Sequence, residues 1–233
     1  MSDDQVLGPD APSHLVPMLL AHRGDHRRYP ENTLAAFRAA LAVPGCDGLE
    51  FDVRASRDGV PIVLHDATLA RVQGRPEPAA ELTAAELGAL GVSTLDAVLT
   101  AIPPLAFLDV ELKEDLGDAF VDVLRSARGA DLANAAVSSF EATALAHVRE
   151  LAPTWRCWLN ANDLSAETLG LARDLGCAGV AALWTGVDRG GMERARKAGL
   201  EVVAWTVRDR ATLALLTGLG VLGVCVEGAA LEG

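Results

Sequence analysis

From residue 105 onward the chain alternates between short apolar runs and longer stretches with a helical rhythm. The runs at 105–113, 135–140, 155–159, 178–183, 201–207 and 222–226 read as buried strands. Between them, 115–128, 142–151, 165–175, 191–198 and 210–216 read as helices. Upstream, residues 18–21 form a short strand that ends in His22-Arg23-Gly24. Asn32 or Thr33 can cap the next helix, whose buried stripe is Leu34, Phe37, Ala40 and Leu41, and Gly45 stops it. In the second strand, Leu49, Phe51 and Val53 alternate with Glu50 and Asp52. Arg57-Asp58-Gly59 is a turn signal, with Gly59 free to take positive φ. A second apolar run, 60–64, then returns as a hairpin and delivers His65 and Asp66. Thr83 and Glu86 have capping-box spacing, and 94–100 reads as one more short helix.

Eight strands, the first seven followed by helical sequence, are the pattern of an α/β fold of the (β/α)8 TIM-barrel type. The expected variations are a hairpin insertion after the second strand and a short or missing last helix, leaving the N-terminal arm or a partner subunit to cover the gap. A doubly wound open sheet is the rival, but His-Arg-Gly follows the first strand where a Gly-rich dinucleotide loop would stand. Residues 1–17, with Pro9, Pro12 and Pro17, read as a flexible arm, and 18–233 as one barrel domain.

Composition narrows the function. The formal net charge is −12 and no basic block occurs, which argues against nucleic acid or an anionic membrane as a broad-surface partner. No apolar run is long enough to span a bilayer, so stable membrane insertion is not expected. Cys46, Cys157, Cys177 and Cys225 lack zinc-site spacing and read as reduced thiols of a cytoplasmic protein. Met1-Ser2-Asp3-Asp4 lacks the features of a signal peptide.

In a barrel, chemistry sits where the strands end. Glu50 and Asp52 are two apart on one strand, so they share a face. Like charges this close favour a cation between them, and oxygen ligands suit a hard divalent ion. The third barrel strand adds Asp109, Glu111 and Lys113, the first strand adds His22 and Arg23, and the hairpin adds His65. Each has a plainer reading as well. His22 alone can be a core histidine, Arg23 can pair with Glu31, and Lys113 can pair with Asp109 or Glu111. His26 reads as exposed on a loop, and His14 and His147 as surface residues. Trp155, Trp158 and Trp184 read as core, whereas Phe140 and Trp205, at strand ends, can wall a pocket.

His22-Arg23-Gly24 followed by Pro30-Glu31-Asn32-Thr33 resembles the opening signature of the glycerophosphodiester phosphodiesterase family. Gly48-Leu-Glu-Phe-Asp-Val53, Asp58 to Asp66, Thr68-Leu69, Glu111-Leu-Lys113, Ser138-Ser-Phe140 and Trp205-Thr-Val207 continue the resemblance in order. It implies a TIM-barrel enzyme that cleaves glycerophosphodiesters to glycerol 3-phosphate and an alcohol. It also implies one divalent metal ion, Ca2+ or Mg2+, held by Glu50, Asp52 and Glu111. His22 and His65 match the acid–base pair, Arg23 and Lys113 match phosphate-binding positions, and Trp205 falls among the substrate-binding residues. The implied partner is a small-molecule diester, with homo-oligomerisation left open. The last strand departs from the family pattern: Leu222 and Val226 replace polar residues, Glu227 stands where an aspartate is usual, and Arg208 stands where asparagine is frequent. Two alternatives are a phospholipase or lysophospholipase D-type phosphodiesterase, and a non-catalytic ligand-binding barrel on the same scaffold.

Overall fold

The structure, a computed structural model, describes residues 16–232. Most of the expected arm, and with it His14, lies outside the described residues. The described residues form nine strands, nine α-helices and three 3₁₀ turns. In chain order the strands are β1 (Met18–His22), β2 (Gly48–Ala55), β3 (Pro61–Val63), β4 (Phe107–Leu112), β5 (Ala135–Ser139), β6 (Cys157–Ala161), β7 (Gly179–Leu183), β8 (Glu201–Val207) and β9 (Gly223–Val226). Helix α1 (Leu34–Leu41) follows β1. After β3 come α2 (Ala70–Gln73), α3 (Ala84–Ala89) and α4 (Leu95–Ala101). Then α5 (Gly117–Arg128), α6 (Ala142–Leu151), α7 (Ala166–Asp174), α8 (Arg189–Ala198) and α9 (Arg210–Leu219) each follow one of the strands β4 to β8.

Every barrel ladder is parallel, and β1 pairs with both β9 and β2, so the sheet closes on itself. Closure identifies the (β/α)8 barrel and rules out the open doubly wound sheet. β3 lies outside the ring and pairs antiparallel with β2, as Val53 opposite Val63 shows. This is the hairpin insertion, turned at Gly59 with φ 74°.

Side chains along each strand divide between two layers. Leu49, Phe51 and Val53 of β2 pack outward with Leu108, Val110 and the helix faces. Leu20, Phe107, Ala136, Trp158, Ala181, Val203 and Cys225 point inward and plug the barrel axis. One step further along the same inward rows, the side chains turn polar: His22 after Leu20, Asp109 after Phe107, Ser138 after Ala136 and Asn160 after Trp158. The polar end is the C-terminal mouth of the strands. A third apolar cluster, with Ile62, Leu69, Leu87 and Val92, lies under the insertion and holds it in place.

Local chemistry sets the helix starts. Thr83 and Glu86 form the expected capping box of α3, and Thr94 caps α4. Thr33, not Asn32, caps α1, its hydroxyl accepting from Ala36 N at 3.3 Å. Trp155 precedes β6 instead of starting it, and its Nε1 donates to Ala130 O at 2.8 Å. Among the described residues, β9 is followed by the 3₁₀ turn Gly228–Ala230 and by no α-helix. Ala230 and Leu231, which follow the last strand, are buried against the core that contains Val224 and Val226. Glu232 then pairs with Arg27 at 2.8 Å, tying the chain end to the loop after β1. Among the described residues, no helix is long and apolar enough to cross a membrane.

Candidate active site

Every site residue expected from the sequence lies in or beneath one cleft at the mouth of the barrel, with a volume of about 420 Å³. Its wall includes His22, Arg23, Glu50, His65, Glu111, Lys113 and Trp205. Asp52, fully buried, lies beneath this lining and contacts Arg23 and Lys113.

The β2–β4 ladder builds the acidic floor. Its register sets Glu50 opposite Asp109 and Asp52 opposite Glu111. Residues two apart share the inward face, so all four carboxylates point into the barrel. Oxygens of Glu50, Asp52 and Glu111 all lie within 4.8 Å of one another. Gly48 secures this register: a Cβ there would sit 2.0 Å from Phe107 O.

The charges divide unequally. Burial, followed by repulsion from Asp52, Glu111 and Asp109, raises the Glu50 pKa well above the carboxylate range. Burial, and next Asp52, raises Glu111 as well. Asp109 is pushed up to about 7, with burial the leading cause. Burial also pushes at Asp52, but Arg23, Lys113, His65 and the Asn32 hydrogen bond together hold this carboxyl below its ordinary value. Arg23 Nε lies 3.1 Å and Lys113 Nζ 3.0 Å from Asp52 oxygens. Lys113 pairs with Glu111 too. Lys113 therefore bridges Asp52 and Glu111, where the sequence suggested Asp109 or Glu111.

Arg23 reaches Asp52 because β1 ends in a left-handed turn. Arg23 has φ 56° and Gly24 φ 81°, and a Cβ on Gly24 would meet Ala36 C at 2.7 Å. Left-handed backbone is costly for arginine, and two ion pairs hold it there: Asp52, and Glu31 at 3.0 Å. Asn32, also left-handed at φ 57°, turns inward and donates from Nδ2 to Asp52 Oδ2 at 2.8 Å. Asn32 thus belongs to the site and not to the helix cap.

The two histidines flank this floor. His22 Nδ1 meets Glu227 Oε2 at 3.1 Å, and its Nε2 lies 3.8 Å from Glu50 Oε2. His65 Nδ1 meets Asp66 Oδ1 at 2.6 Å. Burial lowers the pKa of both imidazoles below the ordinary value, against the pull of their carboxylate partners. Arg71 clamps Asp66 at 2.7 Å and Glu31 at 2.6 Å, linking the His65 and Arg23 sides of the cleft.

His26 corrects the exposed reading given to it. It is only partly exposed, its Nδ1 meets His22 O at 3.2 Å, and its Nε2 lies 3.1 Å from Glu227 Oε2. Two features returned by the loop explain this: Asp25 N donates to Ala36 O, and Asn32 N to Arg23 O. Phe140 and Trp205 do wall the cleft, edge to face with centroids 5.5 Å apart, and Trp205 Nε1 donates to Ala181 O. His147 is at the surface, 2.9 Å from Asp115. Glu227, Asn160 and Arg208 also line the cleft. The sequence flagged Glu227 and Arg208 only as departures from a pattern, and it gave no signal for Asn160 beyond its place after an apolar strand.

A model of the Glycerophosphoryl diester phosphodiesterase family matches residues 22–229. A glycerophosphodiester phosphodiesterase from Caldanaerobacter subterraneus is 24% identical over 230 residues, covering 90% of this chain and 93% of the relative. A phosphodiesterase from Oleispira antarctica, solved in complex with the product sn-glycerol-3-phosphate, superposes with a TM-score of 0.81 at 27% identity, covering 91% of this chain and 93% of that one. A glycerophosphodiester phosphodiesterase from Agrobacterium tumefaciens superposes with a TM-score of 0.81 at 27% identity, covering 93% and 98%.

Proposed function

The chain belongs to the glycerophosphoryl diester phosphodiesterase family, and from that premise we propose that it hydrolyses glycerophosphodiesters to glycerol 3-phosphate and an alcohol, using a divalent cation and a pair of histidines. The observation that carries this reading is the environment of Glu50. Both its carboxylate oxygens are buried without a hydrogen-bond partner, beside oxygens of Asp52 and Glu111. A buried carboxylate without a donor is costly. An all-oxygen donor set fits a hard cation, Ca2+ or Mg2+, and Glu50, Asp52 and Glu111 would hold it. Bound there, it would supply positive charge to phosphoryl oxygens.

The side chains account for the rest of the chemistry. A phosphodiester is an anion with a poor leaving group, in a protein whose net charge is −12. Arg23 and Lys113 bring positive charge to the cleft and would neutralise the phosphoryl oxygens as charge builds in the transition state. One imidazole would take a proton from the attacking hydroxyl, of water or of the neighbouring glycerol carbon. The other would give a proton to the departing alkoxide. His22 and His65 suit these tasks because histidine changes charge near neutrality. The Phe140–Trp205 pair offers an apolar wall for the carbon skeleton of the substrate.

The test is direct. The purified protein is incubated with a panel of glycerophosphodiesters, with Ca2+, Mg2+ or a chelator, and glycerol 3-phosphate is assayed. Release with cation and none with chelator is expected. Full activity after exhaustive chelation, checked by elemental analysis, would remove the metal from the mechanism. No release from any diester would remove the substrate class.

A further inference from the structure

We infer that Glu227 is a positioning residue for His22: it accepts a hydrogen bond from Nδ1–H and so fixes both the tautomer and the direction in which Nε2 enters the cleft. The inference rests on the reading of His22 as one of the acid–base pair.

Three observations carry it. First, a carboxylate only accepts, so the 3.1 Å contact from His22 Nδ1 to Glu227 Oε2 places a proton on Nδ1. In the neutral ring the lone pair is then on Nε2, the nitrogen beside Glu50 Oε2. Without this partner the ring could exchange tautomers or turn over. Second, the same device holds His65, whose Nδ1 faces Asp66 Oδ1 at 2.6 Å. Two rings from distant parts of the chain therefore use one edge for a carboxylate and leave the other for the cleft.

Third, Glu227 is itself clamped. His26 Nε2 lies 3.1 Å from the same Oε2, and Arg208 Nε pairs with Oε1. Asp66 has its own arginine, Arg71. Each histidine thus ends a relay of arginine, carboxylate and imidazole. Burial raises the Glu227 pKa, but the His22 hydrogen bond and the nearby cations reverse that and bring it down to about 2. The acceptor is consequently ionised wherever histidine works. Glu227 does not need to touch the substrate; it acts through the ring it orients, as orienting carboxylates do in acid–base relays.

The experiment compares Glu227→Ala, Glu227→Met and Glu227→Asp in the cation-loaded protein. Met keeps the length of the side chain without its carboxylate, so one acceptor-free variant is expected to fold even where Ala does not. Both acceptor-free variants should lose turnover by at least about tenfold with KM nearly unchanged. Nitrogen-15 NMR of the His22 ring should show the Nδ1–H form in the wild type and a shift towards Nε2–H in both variants. Glu227→Asp should recover most of the turnover and the wild-type tautomer. A folded acceptor-free variant that keeps either its turnover or its His22 tautomer overturns the inference. If the wild type itself hydrolyses no glycerophosphodiester, the functional reading has failed. The NMR comparison still decides whether Glu227 sets the His22 tautomer.

Discussion

Lys113 Nζ lies 3.0 Å from Asp52 Oδ1, across the ladder between β4 and β2. The same ammonium pairs with Glu111, the residue opposite Asp52 in that ladder. One cation therefore serves two of the three carboxylates at the candidate metal site. Its own pKa is raised: burial works against the charge, and the two carboxylates overcome it. Lys113 is thus part of the charge balance of the floor and also a lining residue of the cleft.

This double role separates stability from catalysis in Lys113→Met. Removing one partner of a buried charge pair leaves the others uncompensated. In cation-free buffer the variant should melt below the wild type. Added Ca2+ or Mg2+ should restore much of the melting temperature, because the ion replaces the missing charge. Turnover should stay down by at least about tenfold, because in the proposed mechanism the lysine also meets the developing phosphoryl charge. Recovery of full specific activity along with the melting temperature would make Lys113 a structural ion pair only.

Much of this site was readable in the sequence, for local reasons. Glu50 and Asp52 alternate with Leu49, Phe51 and Val53, so a period of two already put both carboxylates on one face. Gly59 placed the hairpin turn, and with it the return of His65. What the sequence hid depends on closure and on loop paths. Glu227 meets His22 across 205 residues only because β9 pairs with β1. Asn32 and Thr33 are both good caps, and nothing local says which one turns inward; the left-handed φ of Asn32 decides it. His26 follows Gly24 and Asp25 and looks free, yet the loop folds back onto α1 and brings its ring to 6.3 Å from that of His22.

The acid limb of the stability curve should report the carboxylates behind the histidines. Glu227 falls from an ordinary value of 4.5 to about 2, burial opposing and the His22 hydrogen bond leading the decrease. Asp66 falls from 3.8 to about 2, chiefly through its hydrogen bond to Arg71. A depressed carboxyl pKa means that the unfolded chain binds more protons than the folded one between the two values. The stabilisation is therefore complete above the unfolded pKa and is lost as pH falls through the folded one. For Asp66 the window runs from 3.8 down to about 2, and for Glu227 from 4.5 down to about 2. Melting temperature measured across that window should fall less steeply in Glu227→Met than in the wild type. Parallel curves would mean that Glu227 carries no such linkage.

In the proposed mechanism one histidine is the acid and the other the base, and the leaving group can tell them apart. His22 ends β1, and His65 follows β3, which pairs antiparallel with residues 53–55 of β2 and whose next residue, Leu64, donates to Asp52 O. Both rings line the cleft that Arg23 and Lys113 also line, where the phosphate is proposed to bind. Loss of either proton carrier typically costs about a hundred- to ten-thousand-fold. His22→Ala and His65→Ala should each lose at least about a hundredfold in turnover on a natural diester. Both should keep the fold, since neither ring belongs to the apolar clusters of the barrel. A nitrophenyl ester needs little protonation of its departing oxygen. On that substrate the variant without the general acid should be largely rescued, and the variant without the base should not. Measuring both variants on both substrates assigns the two roles. Near wild-type turnover of both variants on the natural diester would mean that the histidines are structural and that proton transfer takes another route.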